Sequence, residues 1–129
     1  MRTRATGTGA ELSAAAPQGG RYVAVVNSDG AEPALIAEVD TKSGTIIVKS
    51  LTARAPTGKS LELWHVAEGR PPRSLGILKV GLNAQTIRDQ VAAGPVNGVI
   101  AVTVEPEGGS PSGAPTGPVV YSGKLIPVE

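Results

Sequence analysis

The longest unbroken run of strand-forming residues in this chain is Val99-Ile100-Ala101-Val102-Thr103-Val104, and every comparable run is closed early by glycine, proline or a small polar residue. Runs this short suit β-strands, whereas a membrane helix needs about eighteen or more consecutive apolar residues. The 17 glycines and 11 prolines supply the punctuation that many short elements require. Seven such runs stand out: Tyr22 to Val26, Leu35 to Val39, Thr45 to Lys49, Leu61 to Val66, Ser74 to Lys79, Val99 to Glu105 and Val119 to Ile126.

Local turn chemistry says which runs pair. Asp40-Thr41-Lys42-Ser43-Gly44 separates the second run from the third, and its glycine can take the positive φ that a hairpin of this length needs. Gly69-Arg70-Pro71-Pro72 does the same for a second hairpin between the fourth and fifth runs. In Leu61 to Val66, alternation places Leu61, Leu63 and His65 on one face and Glu62, Trp64 and Val66 on the other. Asn83 to Ala93 reads differently. Asn83 is a good N-cap, Ile87 and Val91 are one turn apart and Gly94-Pro95 is a stop, so a short helix is expected there.

Crossovers of a parallel sheet need a dozen or more residues each, and the spacing here leaves no room for them. The expected fold is therefore all-β: a two-sheet antiparallel β-sandwich, immunoglobulin-like in general shape, with one short helix. Residues 1–20 carry hardly a large apolar side chain and are expected to form a flexible stalk, leaving 21–129 as the folded domain.

Composition narrows function by exclusion. Trp64, Tyr22 and Tyr121 are the whole aromatic set, which poorly supplies a stacking platform for bases, and 12 Lys and Arg balance 11 Asp and Glu. No long-range field draws the chain to nucleic acid, so no nucleic-acid partner is expected. With no cysteine and a single histidine, thiolate chemistry is absent and a zinc or copper site lacks ligands, so neither metal nor cofactor is expected. The N-terminus has no apolar signal-peptide core, and the chain as it stands is expected to be soluble.

The remaining chemistry is sparse. A hydrolytic triad would have to use His65 with Ser60 or Ser74, yet neither serine sits in a Gly-x-Ser-x-Gly elbow, and no catalytic residue or enzymatic activity is expected. Glu105 and Glu107 flank Pro106 and read as a solvated strand end rather than a cation site. The segment from Pro106 to Pro118 lacks the Gly-Lys-[Ser/Thr] of a phosphate loop and reads as a long connection stiffened by proline. Long loops often carry binding, so Glu105, Gly109, Ser110, Pro111, Pro115, Thr116 and Pro118 are the candidate interaction residues. His65 is added as a candidate pH switch, because imidazole changes charge near neutrality.

Two stretches carry a resemblance. Gly58-Lys59-Ser60-Leu61-Glu62-Leu63-Trp64 is followed by Pro72-Arg73-Ser74-Leu75-Gly76, and Val102-Thr103-Val104-Glu105-Pro106-Glu107-Gly108-Gly109-Ser110-Pro111 runs into Gly113-Ala114-Pro115-Thr116-Gly117-Pro118-Val119. They resemble the C-terminal domain of the anti-sigma-K factor family, from about Arg21 to Leu125. One departure is His65, where the family has an apolar residue after Leu-Trp. The resemblance implies the extracytoplasmic domain of a membrane-anchored regulator. Its sigma factor would be held by a cytoplasmic domain and its anchor would be a membrane helix, both outside this chain, with membrane proteases releasing the sigma factor. A secreted or surface binding module for a cell-envelope polymer or peptide is the alternative.

Overall fold

The computed structural model describes residues 20–28, 32–79, 84–88 and 97–128. They form nine strands: β1 (Arg21–Asn27), β2 (Pro33–Asp40), β3 (Thr45–Ser50), β4 (Lys59–Val66), β5 (Arg73–Ile77), β6 (Gln85–Arg88), β7 (Val99–Pro106), β8 (Val119–Lys124) and β9 (Ile126–Val128). Both expected hairpins are present. β2 and β3 pair from Leu35 opposite Ser50 to Asp40 opposite Thr45, while β4 and β5 pair through a bulge at Leu63/Trp64.

Two expectations need correction. The strands do not divide into the two sheets of a sandwich: one antiparallel path runs β5-β4-β7-β8-β1-β2-β3-β6, with β9 added on β1. The joint is a strand shared by both halves. β8 bonds β7 along Val99 to Thr103, and the same chain continues along β1 in a single register, with Ser122 opposite Asn27 and Ile126 opposite Val23. Close approach at this joint requires Gly123, since a Cβ there would overlap the Val25 carbonyl oxygen.

The expected helix is also overturned where it can be compared. Gln85–Arg88 is a strand with Ile87 opposite Ile46 on β3, and the described residues contain no helix; Asn83 and residues 89–93 lie outside them. Ile87 packs on the core, and pairing with an otherwise open edge of β3 outweighs weak local helical preference.

The path nearly closes on itself. Between its ends, the Gln85 side chain stands in for a peptide group: its Oε1 accepts the Lys79 N–H (2.8 Å) and its Nε2 donates to the Ile77 carbonyl (2.9 Å). The enclosed core is aliphatic, with Val26, Leu35, Ile46, Val48, Leu61, Leu63, Ile100 and Val102 fully buried. Alternation assigns these residues to the inner face and leaves Trp64, Thr103 and both Glu62 and Glu105 on the outer face of β4 and β7.

Candidate functional site: a loop latched to two carboxylates

An outward-facing tryptophan and two carboxylates on a sheet would ordinarily be solvated. Here they are buried: Trp64 is 0% exposed and Glu105 only 1%. Register explains their grouping, since Glu62 faces Thr103 and Ser60 faces Glu105 across the β4–β7 pair. The β7–β8 connection, residues 107–118, folds back over this face and is tied to it at both ends.

At the near end, the Gly108 N–H donates to Ser60 Oγ (3.0 Å) and the Ser110 N–H to Glu62 Oε1 (2.7 Å). The other Glu62 oxygen accepts the Ser74 hydroxyl at 2.5 Å, which links β5 to the same carboxylate. At the far end, Glu105 Oε2 accepts from the Thr103 hydroxyl (2.6 Å) and from the backbone N–H groups of Thr116 (3.1 Å) and Gly117 (3.3 Å). Its Oε1 accepts the Thr116 hydroxyl at 2.5 Å. The Thr103 hydroxyl in turn receives the Trp64 indole N–H at 2.8 Å, so indole, hydroxyl and carboxylate form one directed chain.

Gly117 seats the far end. A side chain there would run into the Val104 carbonyl oxygen, and the next residue, Pro118, accepts the Val104 N–H (3.1 Å). The tip is braced internally. Ser110 Oγ donates to the Ala114 carbonyl (2.5 Å) and receives the Ser112 N–H (3.2 Å), while Ser112 Oγ receives the Ala114 N–H (3.3 Å).

The electrostatics follow from this geometry. Burial pushes the Glu105 carboxyl upward, but hydrogen bonds from the Thr103 and Thr116 hydroxyls and from the Thr116 and Gly117 backbone outweigh it and hold the group below its ordinary value. The burial is shallow, a single layer of loop thick, which is why donors prevail over desolvation. Ionised Glu105 is therefore the form that fits its partners.

The expected interaction residues divide by what the structure does with them. Glu105, Gly109, Ser110 and Thr116 belong to the latch or its underside; Pro111 is exposed at the tip, Pro115 is half-buried and Pro118 is anchored through its carbonyl. Glu105 is thus not the solvated strand end expected, although Glu107 is exposed. Glu62 and Thr103 were not among the candidates, and Ser60 and Ser74 were weighed only as triad serines. The readable signal was a glutamate sharing a strand face with the only tryptophan.

His65 lies on the opposite, inward face, buried, with Nε2 2.6 Å from the Asn97 carbonyl. That contact needs a proton on Nε2, which the neutral Nε2–H tautomer and the imidazolium both supply, so the bond by itself does not distinguish protonation states. Ser74 points to the Glu62 side of the sheet, and the strand separates it from His65. Among the described residues, no three His, Cys, Asp or Glu side chains converge as metal ligands.

Fold and site together define a small, nearly closed antiparallel β-domain whose main polar feature is a hairpin loop held by buried carboxylates. The family profile described as anti-sigma-K factor rskA, C-terminal, matches residues 2–119, and the chain belongs to that family. The match takes in most of the first twenty residues and ends at the first residue of β8. No curated protein and no solved structure matches the chain.

Proposed function

We propose that this chain is the extracytoplasmic regulatory domain of a membrane-anchored anti-sigma factor that controls an extracytoplasmic-function sigma factor, and that it acts without catalysis. The family membership carries this reading. The latched loop supports it: the polar atoms of Glu62, Glu105, Ser110 and Thr116 are committed to holding structure, which suits a domain that presents a shape. On this reading the anchor and the sigma-binding part belong to other parts of the protein, and membrane proteases would act there; the described residues include no helix long and apolar enough to cross a membrane.

The test is genetic and direct. In the gene that encodes this chain, the coding sequence upstream should specify a helical domain and one apolar span of about twenty residues. Removing residues 21–129 from that protein should change transcription from a promoter dependent on the neighbouring sigma factor. A signal peptide alone, with no sigma-factor neighbour, overturns the reading.

A second reading has its own observation. The loop tip from Pro111 to Ala114 is exposed yet internally braced, as a preorganised epitope would be. On this reading the domain is a surface module that binds a cell-envelope polymer or peptide through residues 106–118. Retention on isolated envelope material, lost on replacing residues 111–114, would favour it.

A further inference from the structure

The outer face of the β9-β1-β2-β3 region differs in kind from the latched face. Alternation puts Val23 and Val25 of β1, Ile36 of β2, Ile47 of β3, and Ile126 and Val128 of β9 on one surface, and the register makes them neighbours: Val23 faces Ile126 and Val25 faces Ile36. Three of the five exposed large apolar side chains among the described residues are here, Val25 at 44%, Ile126 at 53% and Val128 at 42%. Among the described residues, no loop crosses this face as residues 107–118 cross the other.

Charge says what could cover it. Arg21, Lys49, Arg88 and Lys124 are all exposed on or beside this face. Its two acids are already engaged: Glu38 pairs with Lys49 (3.4 Å), and Asp40 accepts the Lys42 N–H (2.9 Å) within its turn. With four cations and two acids, the face carries a net two positive charges (4 − 2), and stacking two copies through it would set like charge against like, which opposes self-association. An anionic surface with an apolar interior satisfies both features, because cations gain from anionic headgroups and aliphatic side chains gain from shallow insertion.

We propose that the β9-β1-β2-β3 face is a docking surface for an anionic lipid bilayer, with Ile126, Val128 and Val25 inserting at headgroup level and Arg21, Lys49, Arg88 and Lys124 contacting lipid phosphates. This does not depend on the anti-sigma reading, and the isolated chain can be tested without any sigma factor.

The experiment is co-sedimentation with vesicles of phosphatidylglycerol and phosphatidylcholine, compared with phosphatidylcholine alone, at low salt and at high salt. Binding is expected to the anionic vesicles only and to weaken as salt screens the cations. R88Q/K124Q and I126S/V128S should each lower the partition coefficient by about tenfold or more, while keeping the wild-type thermal transition because all four side chains are exposed. No binding to anionic vesicles overturns the proposal. So does binding that survives I126S/V128S, or a concentration-dependent dimer that the same double variant abolishes, which would assign the face to a second copy.

Discussion

Thr116 grips both oxygens of Glu105, its hydroxyl on Oε1 at 2.5 Å and its backbone N–H on Oε2 at 3.1 Å, so one loop residue spans the whole carboxylate. Hydrogen bonds to a charged acceptor are worth about 1.5–3 kcal/mol each in net stability. Thr116→Val keeps the shape and the backbone bond but removes the hydroxyl donor, and should cost about 1–2 kcal/mol in urea unfolding. Thr116→Ser should recover most of it. A cost confined to Thr116→Ser, with Thr116→Val unaffected, would mean that the methyl group, not the hydroxyl, matters.

Acid should loosen the latch. The Glu105 carboxyl sits below its ordinary value in the folded chain, so it stabilises the fold fully above the ordinary carboxylate range, near pH 4. That contribution declines as pH falls below the range and is gone below the folded value. Glu105→Gln removes the titration, so its stability should fall less steeply with acid than the wild type's, from a lower plateau at neutral pH. Parallel acid limbs for the two proteins would show that other carboxylates govern the transition.

Trp64 reports on the same site, being the only tryptophan and fully buried. Thr103→Val takes the acceptor from the indole N–H and a donor from Glu105 together. A loss of about 1–3 kcal/mol is expected, with the emission of folded Trp64 changed relative to wild type. An unaltered spectrum and melting curve would place the Thr103 hydroxyl outside the network.

Gly117→Ala cannot be absorbed by a rotamer change, because the obstacle is the Val104 backbone carbonyl. We expect about 2 kcal/mol or more of destabilisation from this overpacking, and faster proteolysis within residues 107–118. Wild-type protease resistance would show that the loop can reseat itself.

Gln85 closes the seam between the two ends of the sheet with two side-chain bonds. Gln85→Ala should leave global unfolding nearly unchanged, since the residue lies at an edge, but should speed amide exchange at Lys79. Unchanged protection at Lys79 would mean that its N–H is sheltered otherwise.

Much of this fold was legible in short-range pattern. Gly44 and the turn around it announce the β2–β3 hairpin, and Gly69 with two prolines announces β4–β5. Sheet closure was not legible, because it rests on β8 and β9 sharing one register along a strand about a hundred residues earlier. Gln85–Arg88 misled for a related reason: Ile87 and Val91 are one helical turn apart, while the partner that makes a strand there is Ile46. The loop's importance was readable from its density of glycine and proline. The second carboxylate was harder to read, since Glu62 alternates with apolar neighbours as any exposed strand residue would, and only the face it shares with Trp64 pointed to it.

Because Arg21 of β1 faces Val128 of β9, the first of the described strands is completed by the last of them. Until β8 and β9 are both available, one side of β1 is incompletely paired, whatever the rest of the chain has achieved. Completion of this sheet thus waits for β9 to be made, and contacts of such long sequence separation make the closing step slow. A chain ended after Pro118 should stay protease-sensitive along β1, and resistance there would show that β1 is held without its partner. On the extracytoplasmic reading proposed above, late closure would keep the domain's chain threadable until β9 has passed.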